Sequence, residues 1–389
     1  MKFRKCKLSE LGEIVGGATP STKNKFNYGG NISWITPKDL TDLKGRFINR
    51  GERNITKEGF ENSSTKMLPI NSILFSSRAP IGYIAINNMN EVCTNQGFKS
   101  IIPNDKINYM FLYYLLKFNK DRIESLGSGT TFKEISGTVM KNIVVSIPEN
   151  KNDQLKIAKV LSKIDEKIEL NTHTNNNLYE IGKALYHEYF ENDKYTSNYE
   201  IKQLSEVTTN NRNKIDDSKE YKVLSAVNTG KLVLSDDYFD KQVYSKDIGK
   251  YLNVNKNDFA YNPARINIGS IGLNTYDFNC CVSPVYVTFS VDKDYIDFFD
   301  FYFKSKRFNA EVTLRASGSV RQALNYNDFG MIELLYPSKE MINKFNKSYN
   351  KIKNRINKNK IKINNLEQIR DTLLPKLMNG EIDLDKIEI

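Results

Sequence analysis

Two histidines, four cysteines, one tryptophan and ten prolines are all that 389 residues hold of these types. The cysteines, two of them adjacent as Cys280-Cys281, make no disulfide framework and offer no zinc-ligand spacing, so reduced thiols and no metal are expected. His173 and His187 both fall in one helical stretch, which argues against Ser-His and Cys-His nucleophilic couples. The longest apolar run, Tyr109 to Leu116, stops at Lys117 and is far shorter than the roughly 18 residues of a membrane span. No apolar stretch follows Lys2, Arg4, Lys5 and Lys7, as a secretion signal requires. A cytoplasmic protein without a membrane partner is expected. No glycine-rich loop ends in Gly-Lys-Ser/Thr, and no Gly-x-Gly-x-x-Gly follows a strand, so nucleotide binding has no support. Asn262-Pro263-Ala264-Arg265 shares its first two residues with the Asn-Pro-Pro-Tyr loop of amino methyltransferases, but lacks the second proline and the stacking aromatic. No acidic-plus-lysine nuclease cluster is visible, and catalysis by this chain alone is not expected.

Charge and repetition are what the sequence has. Lys and Arg number 57 against 46 Asp and Glu, a net charge of +11 that suits an anionic partner such as nucleic acid. The chain also repeats itself. Leu8-Ser9-Glu10 returns as Leu204-Ser205-Glu206, Cys93 as Cys281, Ser128-Gly129 as Ser317-Gly318, and Ile147-Pro148 as Tyr336-Pro337, at offsets of 188 to 196. After each of the two prolines comes a long heptad pattern. The first seam carries Ile157, Leu161, Ile164, Ile168, Asn171, Asn175 and Leu178 and continues through Ile181, Leu185 and Tyr189. The second carries Ile342, Phe345, Tyr349, Ile352, Ile356, Asn359, Ile363 and Leu366 and continues through Ile369 and Leu373, and six pairs of positions on the two helices fall in register at an offset of 188. One apolar stripe on a helix of about 40 residues, or about 60 Å, cannot stay in water. Pairing the two helices about a pseudo-twofold sets them antiparallel, with Asn171 and Asn359 on the seam, where a polar residue fixes register.

The expected fold is α+β: residues 1–150 a mixed globular unit, 151–192 a long helix, 193–338 a second mixed unit, and 339–389 a second long helix with its tail. Strands are expected at Ile32–Ile35, Ile73–Phe75, Tyr83–Ile86, Lys99–Ile102, Ile143–Ile147, Lys222–Ser225, Ser270–Leu273, Val285–Ser290 and Met331–Tyr336, with helices at Tyr109–Phe118 and Ile296–Phe308. Between Met341 and Asn379 the second long helix has ten basic and two acidic residues, whereas the first is balanced. A phosphate-facing ridge, a docking face for an acidic partner and a solvated face all fit that count.

The ordered motifs resemble the DNA specificity subunits of type I restriction-modification systems over nearly the whole chain. They are Lys7–Leu11 with Gly16–Ser21, Ile32–Asp39, Leu74–Gly82, Ser128-Gly129, Ile147-Pro148 and, most specific, the closing Leu366–Ile382. The resemblance implies two target recognition domains alternating with two similar helices in an antiparallel coiled coil. It implies a non-catalytic reader of a bipartite double-stranded DNA site that recruits two adenine methyltransferase subunits and sometimes a motor-nuclease subunit. S-adenosylmethionine and ATP with Mg would belong to those partners. Residue chemistry suited to base edges and phosphates in loops points to Lys38, Arg78, Gln96, Thr130, Thr131 and Lys133 in the first unit. In the second it points to Asn262, Arg265, Arg315, Ser319, Arg321 and Gln322. The other classes kept open are a protein-binding coiled-coil scaffold with only non-specific DNA affinity, and an enzyme with an unrecognised nuclease or methyltransferase site.

Overall fold

The computed structural model describes residues 1–41, 43–129, 133–192, 196, 199–216, 218–239, 242–315 and 323–382. The chain forms two compact units: Met1–Asn176 with Asn357–Ile389, and Asn177–Ile356. Each takes in one end of both long helices, which run over Lys151–Phe190 and Lys339–Met378.

In the first unit a five-stranded sheet has the order Gly12–Gly16, Lys99–Pro103, Ile73–Ser77, Ile81–Asn87, Phe47–Ile48. The first three pairings are antiparallel and the last is parallel. The helix Tyr109–Phe118 covers it. Asn108 starts that helix by accepting a hydrogen bond from the Phe111 amide at 2.9 Å, and every residue from Phe111 to Leu116 is buried. Beneath it, Ile73, Phe75, Ile101, Ile157, Leu161, Leu374 and Leu377 belong to one apolar core, so both long helices are part of this fold. Trp34, in the strand Tyr28–Ile35, stands opposite Cys93 of the parallel strand Val92–Thr94. A two-stranded ribbon, Phe3–Lys7 with Val144–Pro148, leads into the first long helix. Asn150 caps that helix through the Asn152 amide.

The second unit has the same order of elements. Thr208–Asn210, Val287–Val291, Phe259–Tyr261 and Ile271–Leu273 form an antiparallel sheet. Lys222–Val227 lies parallel to Cys280–Val282, with Val223 opposite Cys281. Glu200–Gln203 pairs with Glu333–Tyr336 ahead of the second long helix. The core is aromatic where that of the first unit is mostly aliphatic: Phe259, Phe289, Phe299, Phe303 and Phe308 pack together, as do Tyr186, Phe190, Phe345 and Tyr349.

The repeated sequence anchors do the same work in both units. The Glu10 carboxylate accepts from the Lys7 amide at 2.7 Å, and Glu206 from the Gln203 amide at 2.6 Å. The Leu8 amide reaches the Ile143 carbonyl at 3.0 Å, and the Leu204 amide the Ile332 carbonyl at 2.9 Å. One expected element is corrected. Ile296–Phe308 is not a single helix but the whole of one, Ile296–Tyr302, and the start of another, Lys306–Arg315. Ser305 separates them, its hydroxyl taking the Phe308 amide at 3.1 Å. The strands Phe259–Tyr261, Cys280–Val282 and Leu252–Val254 were not expected; each is three residues long, too short for periodicity to register.

All four cysteines are free and buried, and burial, outweighing a hydrogen bond with Thr65, pushes the Cys93 thiol up to about 12. Among the described residues no helix is long and apolar enough to cross a membrane.

Candidate nucleic-acid interface

In the first unit three chain segments meet at Ser77. Its amide donates to the Gly97 carbonyl at 2.7 Å, and its carbonyl accepts from the Ile135 amide at 2.9 Å. The segments are the turn between Ile73–Ser77 and Ile81–Asn87, the Gln96-Gly97 turn, and Lys133–Ile135. The first turn is braced from within: the Ser76 hydroxyl donates to the Pro80 carbonyl and accepts from the Tyr83 amide, each at 2.8 Å. Ala79 takes the left-handed φ of 54° that the tight reversal demands.

Four predicted residues gather here. Arg78 reaches Glu134 at 3.4 Å, and Lys99 reaches the other oxygen of that carboxylate at 3.2 Å, so two cations share one anion. Gln96 is exposed and accepts from the Thr19 hydroxyl. Gly97 lies against Pro37, where a Cβ would come within 2.9 Å of the ring, and this puts the neighbouring Lys38 at the same edge. Lys38 pairs with Glu52 at 2.8 Å, which holds its ammonium above the usual lysine range. Lys133 is exposed beside Glu134. Thr130 and Thr131 lie outside the described residues. Lys99 and Glu134 escaped sequence reasoning: one opens a strand and the other follows a loop, and only the sheet brings them together.

The second unit builds the same crossing from other side chains. The turn from Asn262 to Ser270 joins Phe259–Tyr261 to Ile271–Leu273 and is closed by the Asn262 amide on the Ser270 carbonyl at 3.0 Å. The Leu324 amide donates to the Pro263 carbonyl at 3.0 Å, as Ile135 does to Ser77. The Asn262 side chain accepts from the Ala264 amide at 3.0 Å and so holds the turn. Arg265 is exposed at the tip, and its carbonyl takes the amides of Ile268 and Ser270. The helix Lys306–Arg315 packs on this turn and ends at Arg315, which pairs with Glu311 at 3.6 Å. Ser319, Arg321 and Gln322 lie outside the described residues.

Of the seam residues of the long helices, Ile181 and Ile369 are corrected to exposed positions off the seam, and the others are buried or half-buried. Asn359 is 1% exposed and donates to Asn175 at 2.9 Å. Asn171 is not its partner, because the Asn171 amide turns back to the Lys167 carbonyl of its own helix.

Each unit therefore presents a hairpin turn carrying arginine, tied by a backbone hydrogen bond to a second chain segment. Arginine forks suit guanine edges and phosphates, and Asn or Gln suits adenine. Among the described residues no three His, Cys, Asp or Glu side chains converge as a metal site.

Comparison with known proteins agrees with this architecture. Residues 2–180 match the family model of the type I restriction modification DNA specificity domain. Over 98% of its length the chain is 29% identical to the type I restriction enzyme MjaIX specificity subunit of Methanocaldococcus jannaschii, covering 94% of it. It is also 32% identical to the EcoR124I/EcoR124II specificity subunit of Escherichia coli, across 41% of this chain and 40% of that one. The crystal structure of a type I restriction-modification S subunit from M. genitalium has the same fold, with a TM-score of 0.53 and 18% identity over 97% of this chain and 96% of that one. Over nearly its whole length the chain is similar to type I restriction-modification specificity subunits, and its first 180 residues carry the match to their DNA specificity domain.

Proposed function

We propose that this chain is the DNA-reading subunit of a type I restriction-modification complex and is itself non-catalytic. Each unit reads one half of an asymmetric bipartite site in double-stranded DNA. The observation that carries this reading is the matched crossing: the same backbone bond, Ile135 to Ser77 and Leu324 to Pro263, braces an arginine-bearing turn in both units. The residues around the two turns differ, so the two half-sites differ.

The long helices form an antiparallel coiled coil related by a pseudo-twofold, and its length sets the spacer between half-sites. Contacts within each unit support this. In the first, Asp165 pairs with Arg370 and Asn175 with Asn359; in the second, Gly182 lies against Tyr349 and Phe190 against Phe345. Residue numbers fall along one helix as they rise along the other. The complex is completed by two adenine-N6 methyltransferase subunits and, in some systems, by a motor-nuclease subunit. S-adenosylmethionine and ATP with Mg are bound by those subunits, and a cytoplasmic address follows from this role.

The test is genome-wide adenine methylation in otherwise identical cells with and without this chain, its methyltransferase being present in both. Loss of one asymmetric bipartite motif is expected. An unchanged methylome, combined with no sequence preference in DNA binding by the purified chain, overturns the reading.

A further inference from the structure

The first unit seats its sheet on the long helices through charges taken out of water. Arg46, just ahead of the edge strand Phe47–Ile48, forks onto Glu169 of the first long helix with two contacts of 3.0 Å. One helical turn earlier, Asp165 accepts from the Tyr114 hydroxyl at 2.6 Å and from Arg370 of the second long helix at 3.0 Å. The side chains of Arg46, Asp165 and Arg370 are 4%, 6% and 14% exposed. Gly45, at a left-handed φ of 131°, presses against the Glu169 carboxylate, where a Cβ would come within 3.2 Å of Oε1.

Burying charges in this way adds little net stability over well-packed apolar residues, because desolvation offsets the attraction. What such contacts add is direction: a bidentate arginine and a short hydroxyl–carboxylate bond hold an angle that aliphatic contacts do not. The second unit lacks the cluster. At the repeat offset of 188 Asp165 becomes Lys353, paired with Asp297, and Glu169 becomes Asn357. Tyr114 becomes Tyr302, whose buried hydroxyl has no hydrogen-bond partner among the described residues, and Arg370 corresponds to Gly182. Stacked aromatics, Tyr179 and Tyr186 on Phe301, do the seating there.

We infer that the Arg46–Glu169 and Tyr114–Asp165–Arg370 contacts are a positioning joint that fixes the angle of the first recognition fold on its helices, and through that angle the spacer length the chain accepts. A tilt of about 10° across a fold roughly 20 Å tall moves its far end by about 3.4 Å, the rise of one base pair. The inference rests on the proposed function and goes beyond it by naming the residues that hold spacing at one joint.

The experiment measures binding of the full chain, assembled with its methyltransferase, to duplexes carrying both half-sites at the native spacer and at one base pair longer and shorter. The variants are Asp165→Asn and Glu169→Gln, with Leu377→Ala as a control that weakens the same core without touching the charges. Asp165→Asn and Glu169→Gln are expected to lower the preference for the native spacer by about fivefold, the size of one lost directional contact, while base preference within each half-site stays unchanged. Leu377→Ala is expected to lower Tm and leave the spacer ratio as it was. Equal loss at all three spacers, tracking Tm, overturns the joint and makes the cluster structural only. A change in base preference overturns it in favour of direct readout. An unmutated complex with no bipartite preference overturns the proposed function itself.

Discussion

Arg265 stands at the tip of a turn whose backbone groups are tied to Asn262, Ile268 and Ser270, so its side chain projects from a rigid base. Arg78 differs in sharing Glu134 with Lys99, so any base or phosphate must compete with that carboxylate. Replacing Arg265 with Ala is expected to weaken binding by about 1–3 kcal/mol and to relax preference at one base pair of one half-site, measured across duplexes changed one position at a time. A uniform loss, with the salt slope reduced by about one, identifies a phosphate contact instead. Residue type alone singled out Arg78, Gln96 and Arg265 as side chains suited to base edges and phosphates, and the structure places them in or beside turns. It was not enough for Glu134 or Lys99, whose meeting depends on strands paired across long stretches of chain. Nor did it reveal Arg46 and Glu169, which are 123 residues apart.

Elements were legible in proportion to their periodicity. Tyr109–Phe118 and both long helices stand where their patterns put them, since a stripe repeated over three or more turns has one solution. The central strand Phe259–Tyr261 was hidden because all three of its residues are buried and no alternation exists. Both polar seam positions that meet were legible, and which of two asparagines pairs was not: Asn359 meets Asn175, four residues along from Asn171. The double substitution of Asn175 and Asn359 by Leu replaces a buried polar contact with an apolar one. It is expected to raise Tm by about 2–4 °C and to admit alternative registers or oligomers. Thermal melts with light scattering on the same samples check both effects.

For the whole molecule, the repeat was the most informative signal, because four short anchors in one order define two copies of a fold before any strand is assigned. Shared capping boxes at Glu10 and Glu206 show why those anchors recur: each starts the short helical turn that follows the first strand of its unit. If the helices measure the spacer, removing one heptad from both at the same level, residues 170–176 with 358–364, shortens the pair by about 10.5 Å. The preferred spacer is then expected to shrink by about three base pairs, read from binding to a spacer series. An unchanged spacer overturns the ruler.

The two units also differ in how the chain supplies them. The second is continuous from Asn177 to Ile356, whereas the first needs Asn357–Ile389 to cover Ile157 and Leu161 with Leu374 and Leu377. On the ribosome the order of birth is therefore not the order of completion. The apolar groove of the unit that emerges first stays uncovered until Leu374 and Leu377 are made, after the whole of the second unit.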